Sequence, residues 1–249
     1  MDTVTKRAKT LYNEILFGNF SYEQKRARYD TLLHKFLRSV GKGTLYDIGC
    51  GAGSYLATYL KFGISKKQIT ALDLAPQNIE QIQTSGFHAV CADIQNLPFK
   101  DSVAEFTIAN GVIHHASNPN KAFAELVRIT KPEGLIYINV YNRHAYFYII
   151  HKATWPIRYI YWNWNKKIFT IIYPISKILF QPLVYMFLGE FLDDKTGKQL
   201  FMDQVLTPRA YLFSKSKLLS YAKQYKCSIQ EIAYNRYYLM IAAIILKNP

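Results

Sequence analysis

The stretch Leu45-Tyr46-Asp47-Ile48-Gly49-Cys50-Gly51-Ala52-Gly53 constrains this chain more than any other. A short apolar segment carrying an acid reads as a buried strand, and three alternate glycines follow it. Tyr55, Leu56, Tyr59 and Leu60 then recur at helical spacing. Glycine lacks a Cβ, so the turn can take positive φ and let a ligand lie against the backbone. The amides that open the next helix point at such a ligand. A glycine turn that serves packing alone satisfies the same letters, so the reading depends on the segments that follow.

Those segments alternate between strand and helix patterns from 44 to 140. Residues 68–74 read as a second strand ending at Asp73, and 90–94 as a third leading to Asp93. Residues 106–110 form a fourth ending at Asn110, then Gly111-Val112-Ile113-His114-His115. Residues 135–140 form a fifth. Alternation of this kind predicts a parallel sheet with helices on both faces, binding its ligand at the carboxyl ends of the strands. Two cofactor classes use a strand, glycine turn and helix: dinucleotides and S-adenosylmethionine. A dinucleotide fingerprint is G-x-G-x-x-G, but here Ser54 holds the third glycine's place and Gly53 comes one residue early. Asp47, two residues before the first glycine, suits a ligand with a cationic amino-acid end rather than a pyrophosphate. Asp73, about 20 residues past the loop, lies where an acid can pair with a ribose diol.

Taken in order, Asp47-x-Gly49-x-Gly51-x-Gly53, Asp73, Asp93 with Asn96-Leu97-Pro98-Phe99, Val112-Ile113-His114-His115 and the fifth strand resemble the class I S-adenosylmethionine-dependent methyltransferases. The likeness is to the type 11 group and covers roughly residues 40–142, with a weaker C-terminal part. It implies a Rossmann-like α/β fold with a seven-stranded sheet of order 3-2-1-4-5-7-6. The last two strands fall within 226–234 and 237–246. The resemblance further implies S-adenosylmethionine as cofactor, held by Asp47, Gly49, Cys50, Gly51, Gly53, Asp73, Leu74, Asp93, Ile94 and Asn110. The acid after strand two would bind the ribose hydroxyls, and the acid after strand three would mark the adenine edge. Two departures stand outside these contacts: Glu133 replaces a usual glycine, and Glu105 a usual aspartate.

The 249 residues allow one enlarged domain or a domain with a lid. Three cysteines, Cys50, Cys91 and Cys227, lie in or beside predicted strands without metal-ligand spacing. They read as reduced thiols in a cytoplasmic setting, and no metal is expected. Residues 1–10 carry no apolar signal core. A net charge of +14 favours polyanions, whether RNA or an anionic membrane face.

Residues 1–43 read as an N-terminal helical cap. Within it Ser21 and Gln24 form a capping box that starts a helix through about Arg38, ended by Gly41 and Gly43. In the resembling family such helices close over the cofactor, which makes Tyr12, Phe20, Tyr22 and Tyr29 candidate pocket residues. Residues 44–141 and 207–249 form the core. Thr207-Pro208 is expected to open one helix, and Ser214 to cap a second.

Residues 142–206 depart from the core pattern. They are rich in Tyr, Trp and Phe, interleaved with Lys152, Arg158, Lys166, Lys167 and Lys177, and from 143 on lack acids until Glu190. The apolar run 168–188 is long enough to cross a bilayer, but Pro174, Pro182 and Lys177 interrupt it. A span there would also split one sheet across two sides of a membrane, so none is expected. A helical lid over the site ranks first, a lid that also lies in a membrane interface second, and a single-stranded RNA platform third.

Methyl transfer from a sulfonium is an in-line displacement on an already activated carbon, so positioning dominates and a base is optional. His114, His115, Tyr141 and His144 are the candidate catalytic residues, each with a structural alternative such as capping the helix after strand four. Arg143 and Tyr146, with Tyr12 and Tyr22, are candidate acceptor contacts. Three functions follow: methyl transfer to a small-molecule or lipid-like acceptor with peripheral membrane contact, methylation of tRNA or other RNA, and a non-catalytic methyltransferase-like module. The intact set of acids and glycines argues against the third.

Overall fold

Short strands with buried alternate residues and helices with one apolar stripe build a single sheet around the glycine loop. The computed structural model describes residues 1–249 apart from 16–29, 145–146, 189–190, 192 and 235–239. In chain order the elements are α1 (Thr3–Ile15), α2 (Thr31–Val40), β1 (Leu45–Ile48), α3 (Leu56–Lys61), β2 (Ile69–Asp73), α4 (Pro76–Thr84), β3 (His88–Cys91), β4 (Ala104–Asn110), α5 (Pro119–Ile129), β5 (Thr130–Tyr141), α6 (Phe147–Ala153), α7 (Trp155–Asn163), α8 (Ile168–Leu188), α9 (Asp194–Phe201), α10 (Lys215–Gln224), β6 (Cys227–Tyr234) and β7 (Met240–Lys247). The chain divides into two units, one of Met1–Ala145 with Arg209–Pro249, the other Tyr146–Pro208.

In the first unit the seven strands lie in the order β3-β2-β1-β4-β5-β7-β6. β1 through β5 pair in parallel, and β7 inserts antiparallel between β5 and β6. Each face of the sheet carries its own core. On one face Ile48, Ile136 and Ile138 pack with Phe123 and Leu126 of α5 and with Leu218 and Tyr221 of α10. On the other, Leu45, Ile69 and Tyr137 pack with Leu33, Phe36 and Leu37 of α2, Tyr59 of α3, and Ile79 and Ile82 of α4. Burial on both faces explains why β7, Met-Ile-Ala-Ala-Ile-Ile-Leu-Lys, is an almost unbroken apolar run.

The Asn96-Leu97-Pro98-Phe99 segment is fixed from α5. Glu125 Oε2 accepts the Leu97 N–H at 2.7 Å, while Arg128 donates to the carbonyls of Leu97 and Phe99 and to Glu125. This charge-assisted set holds a loop without regular structure against the edge of the sheet. Both departures also have structural consequences. Glu105 reaches Thr44 N–H at 2.7 Å and Lys131 Nζ at 3.2 Å, and Glu133 sits at φ 63°, in the left-handed region.

Several expected boundaries are corrected. The helix ending near Arg38 begins at Thr31, because Asp30 leaves the helical conformation and its carboxylate caps Leu33 N–H at 2.8 Å. The Ser21–Gln24 box lies outside the described residues. The third strand is His88–Cys91, so Asp93 stands in the turn beyond it. No helix opens at Thr207-Pro208. Residues 209–213 form no helix; the Phe213 N–H donates to Tyr141 O and Phe213 O accepts from Arg143 N–H, an isolated non-local bridge in place of local helix bonds. Ser214 does cap α10, accepting from Lys217 N–H at 3.2 Å.

In the second unit, Arg158 is buried and donates to Val205 O at 2.9 Å and His151 O, and burial pulls its guanidinium down to about 10. Trp162 Nε1 donates to Leu206 O, and Tyr173 stacks on Phe169. Among the described residues no helix is long and apolar enough to cross a membrane.

Candidate active site

The glycine loop follows β1 and is held by its neighbour strand. Gly49 and Cys50 N–H both donate to Leu72 O, at 2.7 and 3.0 Å. Gly49 has φ 75°, and a Cβ there would stand 2.4 Å from Val112 Cγ2. Only glycine fits that combination of backbone and neighbour. Gly51, at φ 56°, donates its N–H to Asp73 Oδ2 at 2.9 Å. Asp73 Oδ1 accepts Ala75 N–H and Asn78 Nδ2, so this one carboxylate ties the loop to the start of α4. Burial raises the Asp73 carboxyl despite these donors.

Asp47 is buried at the end of β1. Desolvation pushes its carboxyl up to about 7 against the pull of Tyr59 OH, which donates to Oδ2 at 3.1 Å, and the charge of Asp73 adds to the rise. It forms no ion pair with a described residue, and a cation placed beside it would favour its charged form. Cys50 is buried, its thiol driven well above the ordinary range by desolvation and by the two aspartates. A buried thiol held in its protonated form is a poor nucleophile. Leu74 is half-buried in the turn after β2, and Ile94 is buried in the core. Asp93 accepts from the N–H and side-chain amide of Gln95. Gln95 Oε1 in turn accepts from Ser117 Oγ and Asn118 N–H, and Ser117 Oγ also reaches Asp2, just before α1. At the end of β4, Asn110 Oδ1 accepts from Asn139, while Asn110 Nδ2 is buried and has no hydrogen-bond partner among the described residues.

Past β4 and β5 lies an aromatic cluster. Tyr141 stacks on His114 with ring centroids 3.9 Å apart, His115 stands edge-on to Tyr141 at 5.4 Å, and Tyr12 of α1 meets His115 at 5.7 Å. His114 is buried and its Nδ1 accepts Tyr141 N–H. Burial lowers the His115 imidazole to about 4, even though Nδ1 lies 3.4 Å from Arg209 O. Neither histidine caps the next helix: Asn118 does, accepting Lys121 N–H. Four candidates therefore converge, His114, His115, Tyr141 and Tyr12. Arg143 and His144 are exposed in the turn after β5, His144 fixed by its backbone N–H on Asn142 Oδ1. Tyr22, Tyr146, Phe20 and Tyr29 lie outside the described residues.

The structure adds partners that sequence reasoning missed. Tyr59 was legible only as part of an apolar stripe, and Asn78 and Gln95 only as polar helix and loop residues. Arg209 and Tyr211 were hidden by the helix expected there. In this strap, Tyr211 N–H donates to His114 O at 2.8 Å and Tyr211 OH to Ser117 O at 3.1 Å.

Three features fit S-adenosylmethionine. Asp47 suits its cationic amino-acid end, Asp73 the ribose hydroxyls, and the unsatisfied Asn110 amide a polar group of the same ligand.

Known proteins agree with this geometry. Residues 46–138 match the family model described as a methyltransferase domain. A tRNA (carboxymethyluridine(34)-5-O)-methyltransferase of Arabidopsis thaliana is 33% identical over 111 residues, which is 43% of this chain and 26% of that protein. A malonyl-[acyl-carrier protein] O-methyltransferase of Serratia marcescens is 33% identical over 94 residues, 37% of this chain and 36% of that protein. The matches thus span well under half the length of these relatives. Among solved structures, the N-methyltransferase NodS of Bradyrhizobium japonicum in complex with S-adenosyl-L-homocysteine superposes with a TM-score of 0.58. That match has 11% identity and covers 98% of this chain and 100% of that one, a likeness of fold. Residues 46–138 thus carry the match to a methyltransferase domain, and the glycine loop, the strand-end acids and the sheet order β3-β2-β1-β4-β5-β7-β6 are those of the S-adenosylmethionine-dependent methyltransferase fold.

Proposed function

We propose that this chain transfers a methyl group from S-adenosylmethionine to a small-molecule or lipid-like acceptor lying over the carboxyl ends of β4 and β5. The observation that carries the reading is the cluster of His114, His115, Tyr141 and Tyr12 beside the acid and glycine set of β1 and β2. S-adenosylmethionine supplies an activated methyl carbon. The chain's part is to hold and orient. Asp47 receives the cationic end, Asp73 the ribose, and Asn110 a polar contact. Tyr141 and Tyr12 present ring faces and edges that exclude water and align an acceptor.

Residues 142–206 are the segment we assign to the acceptor. One face of α8 supports a greasy partner: Ile171, Ile175, Ile178 and Tyr185 recur at helical spacing and all are exposed, Ile178 to 77%. Trp155 and Trp164 are exposed in the same unit, near Lys166 and Lys167. Apolar and aromatic side chains rimmed by lysines suit contact with a membrane interface, with the protein peripheral to the membrane on its cytoplasmic side. A tRNA acceptor is the second reading, favoured by the Arabidopsis relative and the charge of +14.

The test is transfer of labelled methyl from S-adenosylmethionine by the purified protein into an extract of its source. The products are then separated into organic-soluble, small aqueous, RNA and protein fractions. Label in the first two is the expected result. Label in RNA would replace the acceptor assigned here, and saturable cofactor binding without transfer into any fraction would favour a non-catalytic module.

A further inference from the structure

The carboxyl ends of the strands are unequal in charge. At the ends of β1 and β2 and just past β3 stand Asp47, Asp73 and Asp93. The segments that border the acceptor side, 111–118, 142–144 and 209–213, contain no Asp or Glu, and they carry His114, His115, Arg143, His144 and Arg209. This polarity runs across one mouth. An acid-lined half faces a cationic cofactor, and a cation-lined half remains for the other reactant.

The strap 209–213 carries one arginine of this set, Arg209, and is bonded to the backbone of the other, Arg143. It is tied to the β4 and β5 ends by Tyr211 N–H on His114 O and Phe213 N–H on Tyr141 O, both 2.8 Å, and by Arg143 N–H on Phe213 O at 2.9 Å. Arg209 Nη1 donates to Tyr211 OH at 3.1 Å, and its guanidinium lies 5.6 Å from the centroid of that ring. The Tyr211 hydroxyl is itself fixed on Ser117 O. Neither Arg209 nor Arg143 forms an ion pair with a described residue. A guanidinium already oriented, with no carboxylate of its own, presents a planar fork to a two-oxygen anion. Asp2, which reaches Ser117, is engaged by Thr5 and Ser117 Oγ.

Resting on the methyl-transfer reading above, we propose that the acceptor is a small or acyl-borne carboxylate, methylated on oxygen to its methyl ester, and that Arg209, with Arg143, receives it. The step balances without a proton. A carboxylate oxygen lone pair forms the new O–CH3 bond while the methyl–sulfur bond breaks with its pair left on sulfur, giving the ester and S-adenosylhomocysteine. No general base is called for, which matches a site where desolvation lowers the half-buried His115 imidazole. The two curated relatives support the same chemistry: both are named as O-methyltransferases, and carboxymethyl and malonyl each bear a carboxyl group.

Methyl esters release methanol in mild alkali, whereas methyl ethers, N-methyl and C-methyl products do not. Labelled product from the extract reaction is therefore treated with base and the volatile label counted. The expected result is that most of the transferred label becomes volatile. Base-stable label would overturn the carboxylate while leaving methyl transfer intact, base-labile label confined to RNA would overturn the small or acyl-borne acceptor, and no transfer at all would sink methyl transfer and this inference together. Arg209→Gln is expected to raise the amount of extract needed for half-maximal ester formation at least tenfold, with partial recovery in Arg209→Lys. Affinity for S-adenosylhomocysteine, titrated directly, should stay within twofold. An unchanged acceptor requirement in Arg209→Gln would remove Arg209 from the assignment.

Discussion

Gly49→Ala separates the steric from the conformational requirement of the loop. At φ 75° an alanine pays the left-handed penalty of about 1–2 kcal/mol. Its Cβ would also stand 2.4 Å from Val112 Cγ2 and 2.6 Å from Val112 Cβ, so Val112 or the loop must move. Such overpacking adds about 1–3 kcal/mol, for a total loss of roughly 2–5 kcal/mol. Gly63 is the control. Its φ of 81° is nearly the same, but a Cβ there meets nothing within 4 Å, so Gly63→Ala carries only the conformational part. Val112→Ala would not relieve the clash, because Val112 Cβ is itself too close, whereas Val112→Gly would. Gly49→Ala with Val112→Gly is therefore expected to be more stable than the two single effects added, by about 1–3 kcal/mol. Urea unfolding with linear extrapolation measures all four variants. Gly49→Ala no more destabilising than Gly63→Ala would refute the reasoning.

Three further expectations follow from the geometry. Glu133 occupies φ 63° with an exposed side chain, so Glu133→Gly should stabilise the protein by about 0.5–1 kcal/mol in the same urea assay, and an unchanged or lowered midpoint would count against strain there. Burial raises the Asp47 carboxyl from 3.8 to about 7, so the folded state keeps this proton to higher pH than the unfolded chain and stability falls as pH rises from about 4 through 7. Without cofactor, Asp47→Asn should match wild type near pH 4 and exceed it by up to about 4 kcal/mol above pH 7, and parallel pH curves would contradict the shift. Ile178→Glu on the exposed face of α8 should lower co-sedimentation with vesicles containing anionic lipid at least severalfold, and unaltered binding would take that face out of the membrane reading.

The sheet was readable because its determinants are local: a strand marked by apolar residues, a glycine turn that no other residue satisfies, and helices with one buried stripe. β7 was found from alternation over 237–246 and the resemblance to a closing antiparallel pair, and α10 from Ser214 as cap. Errors arose where distant partners decide. Proline after Thr207 is a helix-opening signal, yet residues 209–213 stay non-helical and Phe213 bridges instead to the backbone of Tyr141 and Arg143. Asp30 caps α2 and also accepts Tyr137 OH at 2.6 Å, a contact across 107 positions that no local pattern announces. The candidate site divides in the same way. The acids and glycines were visible from spacing. The roles of Tyr59 on Asp47, Gln95 beneath Asp93, and Arg209 with Tyr211 beside the histidines appear only when the strands are assembled.

The central claim is that the β1 and β2 ends of this sheet hold S-adenosylmethionine through Asp47, Asp73 and the glycine loop. Calorimetric titration of S-adenosylmethionine into wild type and Asp73→Ala tests it most directly, with urea unfolding of both proteins confirming that the variant is folded. The account predicts saturable binding at one site per chain in wild type and at least a tenfold loss in a folded Asp73→Ala. Absence of saturable binding by wild type, or equal affinity in the two proteins, would contradict it.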